Sequence, residues 1–390
     1  MNTFGMKVKA RCFVEYDSVA DLVDIEFEEL ARPVLHIGGG SNLLFTDDFK
    51  GTILHSKINF IEILKDERRI SAVPSASARH SENVEAAVAP VNADEGIDGM
   101  PPRGLSQSDW GVDAVVGDDE PKETLVSVGS GVVFDDLCDW AAKEGLWGVE
   151  NLSYIPGEVG ASAVQNIGAY GVEVKDVIRT VYCYDTVEEE FVKFDVSECE
   201  YGYRDSIFKN PEIKGRYIVT HVVFALSRTP QPKLEYGHLD AALKETQAAK
   251  DAALTPALIR KVIIKIRKEK LPEPSVMGSA GSFFKNPVVS AEHFAKIEAA
   301  AKAEQGADCK VPHYDLPDGT VKVPAAWMIE QCGWKGRRSG GAAVWDKQPL
   351  VIVNYTGEAY PEEIIGLERR IIESVKNKFG VELHPEVDHI

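Results

Sequence analysis

Predicted strands and helices follow one another along this 390-residue chain without a regular strand–helix–strand alternation. Near-continuous apolar runs, such as VLHI at 34–37 and RYIVTHVVFALS at 216–227, predict buried strands. Apolar positions at helical spacing predict helices, most clearly in YPEEIIGLERRIIESVKNKF at 360–379. Because a doubly wound sheet needs a helix between successive parallel strands, this order predicts an α+β fold instead.

Residues 71–121 interrupt the pattern of apolar runs. They are rich in Ala, Ser, Gly, Pro and Asp and have little periodicity. This composition predicts an exposed, partly disordered insertion, with a partner-binding segment as the alternative.

Charge and cysteine usage narrow the class of protein. The formal net charge of −19 argues against a nucleic-acid or anionic-membrane surface, which would need a basic face. The six cysteines include no C-x-x-C pair, so we expect neither a metal site nor a disulfide framework. The chain has no apolar run of the roughly 20 residues that a membrane span needs, and we expect a cytoplasmic protein.

Two glycine-rich segments are candidates for ligand binding. HIGGGSN at 36–42 follows a buried strand, and its backbone N–H groups could hold a phosphate. It lacks the third glycine of the dinucleotide fingerprint, so a plain tight turn is the other interpretation. The second segment is YIPGEVGASAVQNIGAYGVEV at 154–174. It could surround a flat cofactor or form a long surface loop.

Three further segments carry polar groups in unusual settings. YGYRDSIFK at 201–209 sets an arginine beside tyrosines, which suits a carboxylate ligand, although an Arg204–Asp205 ion pair is the simpler alternative. GSAGSFFKNP at 278–287 places the Ser282 hydroxyl among small residues and beside Lys285 and Asn286. HPEV near the end contains Glu386, which could also belong to a solvated tail.

These motifs, together with GGAAV at 340–344, occur in the order found in UDP-N-acetylenolpyruvoylglucosamine reductases, which the chain resembles. These are flavoenzymes of bacterial cell-wall precursor synthesis. The resemblance covers residues 2–70 and 122–390. The chain departs from the family where an insertion of about fifty residues replaces a short hairpin.

The resemblance implies a fold with FAD-binding domains of the FAD-linked-oxidase type and a C-terminal α+β substrate-binding domain. The FAD-binding part would consist of two α+β subdomains. We place the first at residues 1–65. The second would span 66–271, with the insertion at about 71–121 and a returning strand at 381–390. The substrate-binding domain would span 272–380.

The resemblance also implies the reaction. NADPH would reduce a noncovalently bound FAD, and flavin N5 would deliver hydride to UDP-N-acetylglucosamine enolpyruvate, giving UDP-N-acetylmuramate. The partner is then a small UDP-sugar, with no nucleic acid and no membrane, and we expect a monomer. An FAD-dependent sugar or hydroxyacid oxidase of the same fold is the alternative.

Matching the family motifs residue by residue implies the site. Ser282 would donate the proton, Arg204 would bind the substrate carboxylate, and Glu386 would help to polarise it. Tyr236 matches the tyrosine of a substrate lid that defines one family subtype. The implied substrate-binding residues are Tyr203, Tyr236, Lys270, Asn286 and Gln331. The implied cofactor-binding residues are Gly38, Gly39, Gly40, Ser41, Asn42, Gln165, Asn166 and Gly168.

Overall fold

The computed structural model describes residues 2–64, 123–235, 239–248 and 254–390. The predicted insertion at about 71–121 and the predicted lid residue Tyr236 lie outside the described residues. The described strands are β1 (Ala10–Tyr16), β2 (Val34–Ile37), β3 (Leu43–Leu44), β4 (Phe49–Ser56), β5 (Ile61–Ile63), β6 (Glu123–Gly129), β7 (Gly168–Ala169), β8 (Val172–Glu173), β9 (Ile178–Asp185), β10 (Glu190–Asp195), β11 (Tyr217–Ser227), β12 (Gly278–Ser282), β13 (Val288–Ser290), β14 (Tyr314–Asp315), β15 (Thr320–Lys322), β16 (Arg338–Ser339), β17 (Ala342–Val344), β18 (Val351–Asn354) and β19 (Asp388–His389). The described helices are α1 (Val19–Val23), α2 (Phe134–Lys143), α3 (Val159–Gln165), α4 (Leu239–Ala248), α5 (Pro256–Lys270), α6 (Ala291–Gln305), α7 (Ala325–Gln331) and α8 (Pro361–Phe379).

The first sheet consists of three parallel strands in the order β1-β4-β2. Ser18 begins α1 by accepting a hydrogen bond from the backbone N–H of Asp21, as a capping residue does. Strand β2 ends at Ile37, and the glycine turn follows at once. The turn therefore lies at the carboxyl end of a parallel strand, a common place for ligands.

The second sheet is antiparallel, with the order β10-β9-β11-β6-β5. Its inward residues, such as Val181, Val222 and Phe224, are fully buried together with Leu137 of α2. Helix α3 packs on β11 and α5 packs on α2. These contacts fix the second glycine-rich segment, which contains α3, against the sheet.

The third sheet has the order β12-β18-β17-β16, and α7 and α8 pack against the same core. The apolar positions predicted for the last long helix all contribute to this core, and they are Ile364, Leu367, Ile371, Val375 and Phe379. Gly380, in the left-handed conformation, ends the helix. The α+β fold class is confirmed by this mixture of helices with parallel and antiparallel strands.

The end of the chain differs from the domain prediction in one respect. Residues 381–390 were expected to return to the unit formed by 66–271. Strand β19 instead pairs in parallel with β3, within residues 1–65. Val381, Leu383 and Val387 pack into the core of the third sheet. The terminal segment therefore joins the first and third parts of the chain because its strand pairs with one and its apolar side chains enter the other.

Among the helices in the described part of the chain, none combines the length and apolar character needed to cross a membrane. Helix α5 begins as predicted, with Thr255 accepting a hydrogen bond from Leu258 N–H and Pro256 in the first turn. Helix α3 lies inside a segment expected to be a loop, and α6 was not predicted from the sequence.

Candidate active site

A cavity of about 160 Å³ lies where the glycine turn, the second glycine-rich segment and three polar motifs meet. It brings together all three predicted catalytic residues. Its lining includes Ser282, Arg204, Glu386, Gln165, Gly168, Ser41 and Asn42. We refer to this cavity as the cleft.

Ser282 is the last residue of β12 and lies at the exposed edge of the cleft. The next two side chains, Phe283 and Phe284, are buried and anchor the strand in the third core. Gly281 has φ +69°, and apart from its chain neighbours no atom of the described residues lies within 4 Å of the place where its Cβ would be. The glycine thus allows a sharp backbone turn and leaves open space beside the hydroxyl.

Glu386 is held beside Ser282 by pairing between two distant segments. Phe284 and Pro385 form an antiparallel bridge. The backbone N–H of Glu386 donates to the carbonyl of Phe283 at 2.8 Å. On the other side, the Asn42 amide donates to the carbonyl of Glu386 at 3.0 Å. The glycine turn, the serine strand and the C-terminal motif are therefore one hydrogen-bonded unit.

Arg204 reaches the cleft from a tight turn in which Gly202 and Asp205 pair with each other. Its own φ is +56°, in the left-handed region that side chains rarely adopt. The guanidinium donates to Glu386 Oε1 at 2.7 Å, to the Gly168 carbonyl at 2.6 Å and to the Asn166 carbonyl at 3.3 Å. With 16% of its side chain exposed, Arg204 is fixed in position rather than free in solvent.

Gly168→Ala should displace this guanidinium. A Cβ at Gly168 would lie 2.9 Å from Arg204 Nη1 and 2.9 Å from the Val172 carbonyl oxygen, closer than real contacts allow. We expect kcat to fall by about tenfold or more, because misplaced catalytic groups lose their aligned geometry. Steady-state kinetics of the purified variant would measure this.

Gly366→Ala is the matched control for that substitution. Gly366 lies within α8, and outside the helix's own backbone and its chain neighbours no atom in the described part of the chain is within 4 Å of its Cβ position. We expect unchanged kcat and a gain of about 0.5–1 kcal/mol in the free energy of unfolding. Equal kcat values for both variants would contradict the role assigned to Gly168.

The glycine turn packs closely on the segment that precedes α3. A Cβ at Gly38 would lie 2.9 Å from Ala161 Cβ, and Gly40 has φ +65°. Ser41 donates through its hydroxyl to the Pro156 carbonyl at 3.1 Å. Glycine is favoured at Gly38 by this close approach and at Gly40 by its left-handed backbone, whereas a Cβ at Gly39 would make only an ordinary contact of 3.8 Å with Gly157 Cα.

Gln165, the last residue of α3, lines the cleft. Its Oε1 accepts from Lys209 Nζ at 2.7 Å, which fixes the orientation of the amide. Its Nε2 is buried and has no hydrogen-bond partner within the described part of the chain. A buried donor without a partner costs free energy, so a ligand acceptor at this place would be favoured.

Asn166 has a different position from the one predicted. It is fully buried, with φ +48°, and its side-chain amide donates to the Gly202 carbonyl at 2.7 Å. Its Oδ1 accepts from the Lys175 N–H at 3.3 Å. Asn166 therefore joins the helix end to the arginine turn and does not line the cleft.

Two predicted substrate residues lie next to each other outside the cleft lining. Asn286 Oδ1 accepts from the Ala325 N–H at 2.9 Å and so stabilises the start of α7. Burial raises the pKa of Tyr203, whose ring lies 4.3 Å from Lys322 Nζ. Both residues lie in the same sequence motifs as the catalytic residues.

The structure does not bring Lys270 or Gln331 to the cleft lining. Lys270 is the exposed last residue of α5, and its carbonyl accepts from Trp345 Nε1 at 3.0 Å. Gln331 Oε1 accepts from Gln305 Nε2 at 2.8 Å, at the surface between α6 and α7. Gln331 is thus engaged in a contact between helices.

Arg267 lines the cleft and was not predicted. Its Nε donates to the Tyr154 carbonyl at 3.1 Å, and burial lowers its pKa from the ordinary value. A signal was present in the sequence, because Arg267 continues the helical spacing of the buried residues Ile259 and Ile263. A cation on the buried face of a helix indicates a functional or paired group.

Comparison with known proteins shows relatives along the whole chain. A family model described as UDP-N-acetylenolpyruvoylglucosamine reductase, C-terminal domain, matches residues 273–390, and one described as FAD binding domain matches residues 112–191. The UDP-N-acetylenolpyruvoylglucosamine reductase of Bacteroides fragilis (strain YCH46) is 44% identical over 390 residues, which are 100% of this chain and 97% of the relative. That of Porphyromonas gingivalis (strain ATCC 33277) is 39% identical over 395 residues, covering 100% and 96%.

A solved structure resembles the fold. It is the crystal structure of UDP-N-acetylenolpyruvylglucosamine reductase from Thermus caldophilus, with a TM-score of 0.56 and 20% identity. The match covers 100% of this chain and 95% of that chain. At this identity the likeness supports the fold alone.

Proposed function

This chain belongs to the UDP-N-acetylenolpyruvoylglucosamine reductase family, and on that premise we propose that it uses NADPH to reduce UDP-N-acetylglucosamine enolpyruvate to UDP-N-acetylmuramate. The observation that carries the proposal is the cleft, where Ser282, Arg204 and Glu386 meet. Three segments far apart in sequence supply them, and hydrogen bonds hold those segments together.

The cofactor is FAD, which the matching FAD-binding domain indicates, and the cleft residues fit it. When bound, FAD carries a hydride from NADPH to the substrate. The glycine turn from Gly38 to Asn42 would offer backbone N–H groups, and Ser41 and Asn42 of the turn line the cleft. Gln165 Nε2, buried and without a partner among the described residues, would donate to an acceptor of the cofactor.

Ser282 would protonate the carbon next to the substrate carboxylate after the hydride has arrived at the outer carbon. The hydroxyl lies at the cleft edge, and the open space at Gly281 admits a ligand close to it. A serine hydroxyl is a weak acid, so donation needs a strongly basic carbon and a fixed geometry. The buried Phe283 and Phe284 supply that fixed geometry.

Arg204 would bind the substrate carboxylate, where negative charge increases as the enolate forms. Fixed positive charge in a site with little water stabilises such charge strongly. Glu386 Oε1 accepts a hydrogen bond from Arg204 Nε at 2.7 Å, so a substrate carboxylate would share the Arg204 guanidinium with Glu386. In this proposal Glu386 orients the guanidinium toward the reacting carboxylate.

The UDP diphosphate needs cations and N–H donors of its own. Arg267 already lines the cleft, and Lys270 follows it on the exposed end of the same helix. We propose that these two residues bind the diphosphate, with Tyr203 and Asn286 nearby. Tyr236, as the residue of a closing lid, stays a prediction from its motif.

Flavin absorbance under nitrogen tests the proposed function. NADPH should bleach the purified holoprotein, and UDP-N-acetylglucosamine enolpyruvate should then restore the oxidised spectrum without oxygen. Mass spectrometry should find UDP-N-acetylmuramate in the same sample. A protein that ignores NADPH, yet is reduced by a free sugar or hydroxyacid and reoxidised by air, would be an oxidase, and the proposal would be wrong.

We further propose that the enzyme acts as a monomer in the cytoplasm, where nucleotide sugars and NADPH are available. The domain boundaries at 65, 271 and 380 are part of the same proposal. The hydrophobic core around the third sheet is formed mostly by residues of 272–380, with Phe4, Met6, Leu44 and the terminal segment added, and supports a unit near 272–380. Sedimentation equilibrium would give the molecular mass, and a mass of twice 42.8 kDa or more would contradict the monomer.

A further inference from the structure

His55 on β4 lies between two carboxylates. Its Nδ1 is 2.9 Å from Glu15 Oε1, and its Nε2 is 3.0 Å from Glu158 Oε1. Glu15 is the register partner of His55 on the neighbouring strand β1. The His55 side chain is only 2% exposed. A buried imidazole with an acidic oxygen on each nitrogen binds both as a donor when it is protonated.

Glu158 lies beside the glycine turn. A Cβ at Gly38 would be 3.3 Å from Glu158 Oε2, and a Cβ at Gly39 would be 3.7 Å from Oε1. The residue occupies the N-cap position of α3, yet its side chain makes no capping hydrogen bond there. Its carboxylate is instead turned toward His55. Glu158 lines the cleft, and its side chain is 12% exposed.

An acidic side chain at this place conflicts with an anionic ligand. The glycine turn reaches the cleft through Ser41 and Asn42, and its backbone N–H groups suit a diphosphate. A carboxylate in a partly buried site repels phosphate oxygens. The repulsion falls if a cation pairs with the carboxylate and holds it away from the N–H groups of the turn. His55 is the group in contact with Glu158 that is able to carry such a charge.

The other titratable groups around His55 do not supply a positive charge that would offset the Glu158 carboxylate. His36 on β2 is buried, and burial, with the charge of His55, lowers its pKa to about 4, so it is neutral near pH 7. Tyr16 on β1 donates or accepts through its hydroxyl at His36 Nε2, 2.7 Å away, and burial raises its pKa. Glu15 has 44% of its side chain exposed, where water screens its charge.

We propose that His55 is a positioning residue for the cofactor diphosphate: it holds the Glu158 carboxylate toward β4 and offsets its charge beside the glycine turn. The inference rests on the proposed function in one respect, namely that FAD places its diphosphate at the turn. Glu158 and Ala161 both line the cleft, so the orientation of Glu158 shapes the side of the cleft that α3 forms.

The affinity for FAD should depend on pH in a definite direction. The hydrogen bond to Glu158, followed by that to Glu15, raises the pKa of His55. A raised pKa means that the cationic form and its stabilising pairs are present at low pH and are lost as pH rises through that pKa. FAD should therefore bind more weakly as the pH rises through this range, and the dependence should be flatter in Glu158→Gln.

The experiment measures the dissociation constant of FAD for the apoprotein, by the change in flavin fluorescence, in four proteins. These are the wild type, His55→Gln, Glu158→Gln and the double variant. We expect His55→Gln to weaken FAD binding by about tenfold or more, equivalent to about 1.4 kcal/mol. Glu158→Gln and the double variant should stay within about threefold of the wild type, because no charge is left to offset.

His293→Gln is the control. This histidine lies half-buried on α6, away from the glycine turn, and contacts the Phe379 carbonyl at 2.8 Å, and a Gln retains a donor. Circular dichroism would show whether each variant is folded. If His55→Gln does not fold, the inference is tested by comparing the pH dependence of FAD binding in the wild type with that in Glu158→Gln.

Three results would overturn the inference. His55→Gln could bind FAD as tightly as the wild type, the double variant could remain as weak as His55→Gln, or the wild type and Glu158→Gln could share one pH dependence. A wild-type protein that binds no FAD would contradict the proposed function itself, and the inference with it. Failure of the inference and failure of the proposed function are distinguishable, because the wild-type protein alone shows whether FAD binds.

Discussion

Ser282→Ala should leave the reduction of FAD by NADPH unchanged and slow the reduction of the enolpyruvyl ether by about 10³-fold, in the range that a general acid contributes. Ser282 would supply the proton to carbon after hydride transfer, so its loss affects only the second half of the cycle. The side chain ends a strand that Phe283 and Phe284 anchor, and the methyl of alanine fits the same place. The fold should be unaffected.

Rapid mixing of the enzyme with NADPH, and then of the reduced enzyme with substrate, measures the two halves separately. Ser279→Ala is a matched control, because Ser279 lies on the same strand, is buried and does not line the cleft. The control should keep both rates. Equal slowing of both halves in Ser282→Ala would refute the proton-donor assignment.

Arg204→Met should slow the same second half-reaction by about 10³-fold and increase KM for the UDP-sugar. The substitution removes the charge that stabilises the enolate and leaves Glu386 and the carbonyls of Gly168 and Asn166 without their donor. Arg204→Lys should retain part of the activity, because an ammonium keeps the charge but cannot bind three oxygens in the same geometry.

The control for Arg204 is a second guanidinium–carboxylate pair. Arg216 binds Asp185 through two nitrogens, with its Nη2 at 2.7 Å, at the end of strand β9 and just before β11. Arg216→Lys should leave both half-reactions at the wild-type rate. The assignment fails if Arg204→Met reduces the enolpyruvyl ether as fast as Arg216→Lys does.

The three candidate catalytic residues were assigned from short motifs that the chain shares with the family it resembles. Ser282, Arg204 and Glu386 were predicted from three separate segments, and the structure brings them to one cleft. They meet because segments far apart in sequence pair through their backbones, as Phe284 does with Pro385, and their catalytic roles stay predictions. Local rules were enough for helices such as α5, whose capping Thr255 and Pro256 are adjacent.

Other residues could not be assigned from motif position alone. Asn166 and Gln331 carry amides that could bind a ligand, but in the fold these groups bind Gly202 and Gln305 instead. The hydrogen-bond partner of a side-chain amide depends on which residues lie near it in space, and the sequence does not show these neighbours. Helix α6 is rich in alanine, so its apolar stripe gives only a weak periodic signal.

The pairing of His55 was also invisible in the sequence. Its two carboxylate partners are 40 and 103 residues away along the chain. One is set by the register of parallel strands β1 and β4, and the other by the approach of the segment before α3 to the glycine turn. Neither contact produces a recognisable local pattern.

The central claim is that one hydroxyl protonates the substrate while Arg204 holds its carboxylate. A crystal structure with FAD and the enolpyruvyl UDP-sugar bound tests this most directly. We predict that Ser282 Oγ lies within about 3.5 Å of the carbon that carries the carboxylate, a reactive separation, and that the Arg204 guanidinium contacts that carboxylate. A Ser282 hydroxyl turned away from this carbon, with Arg204 bound only to Glu386, would contradict the account.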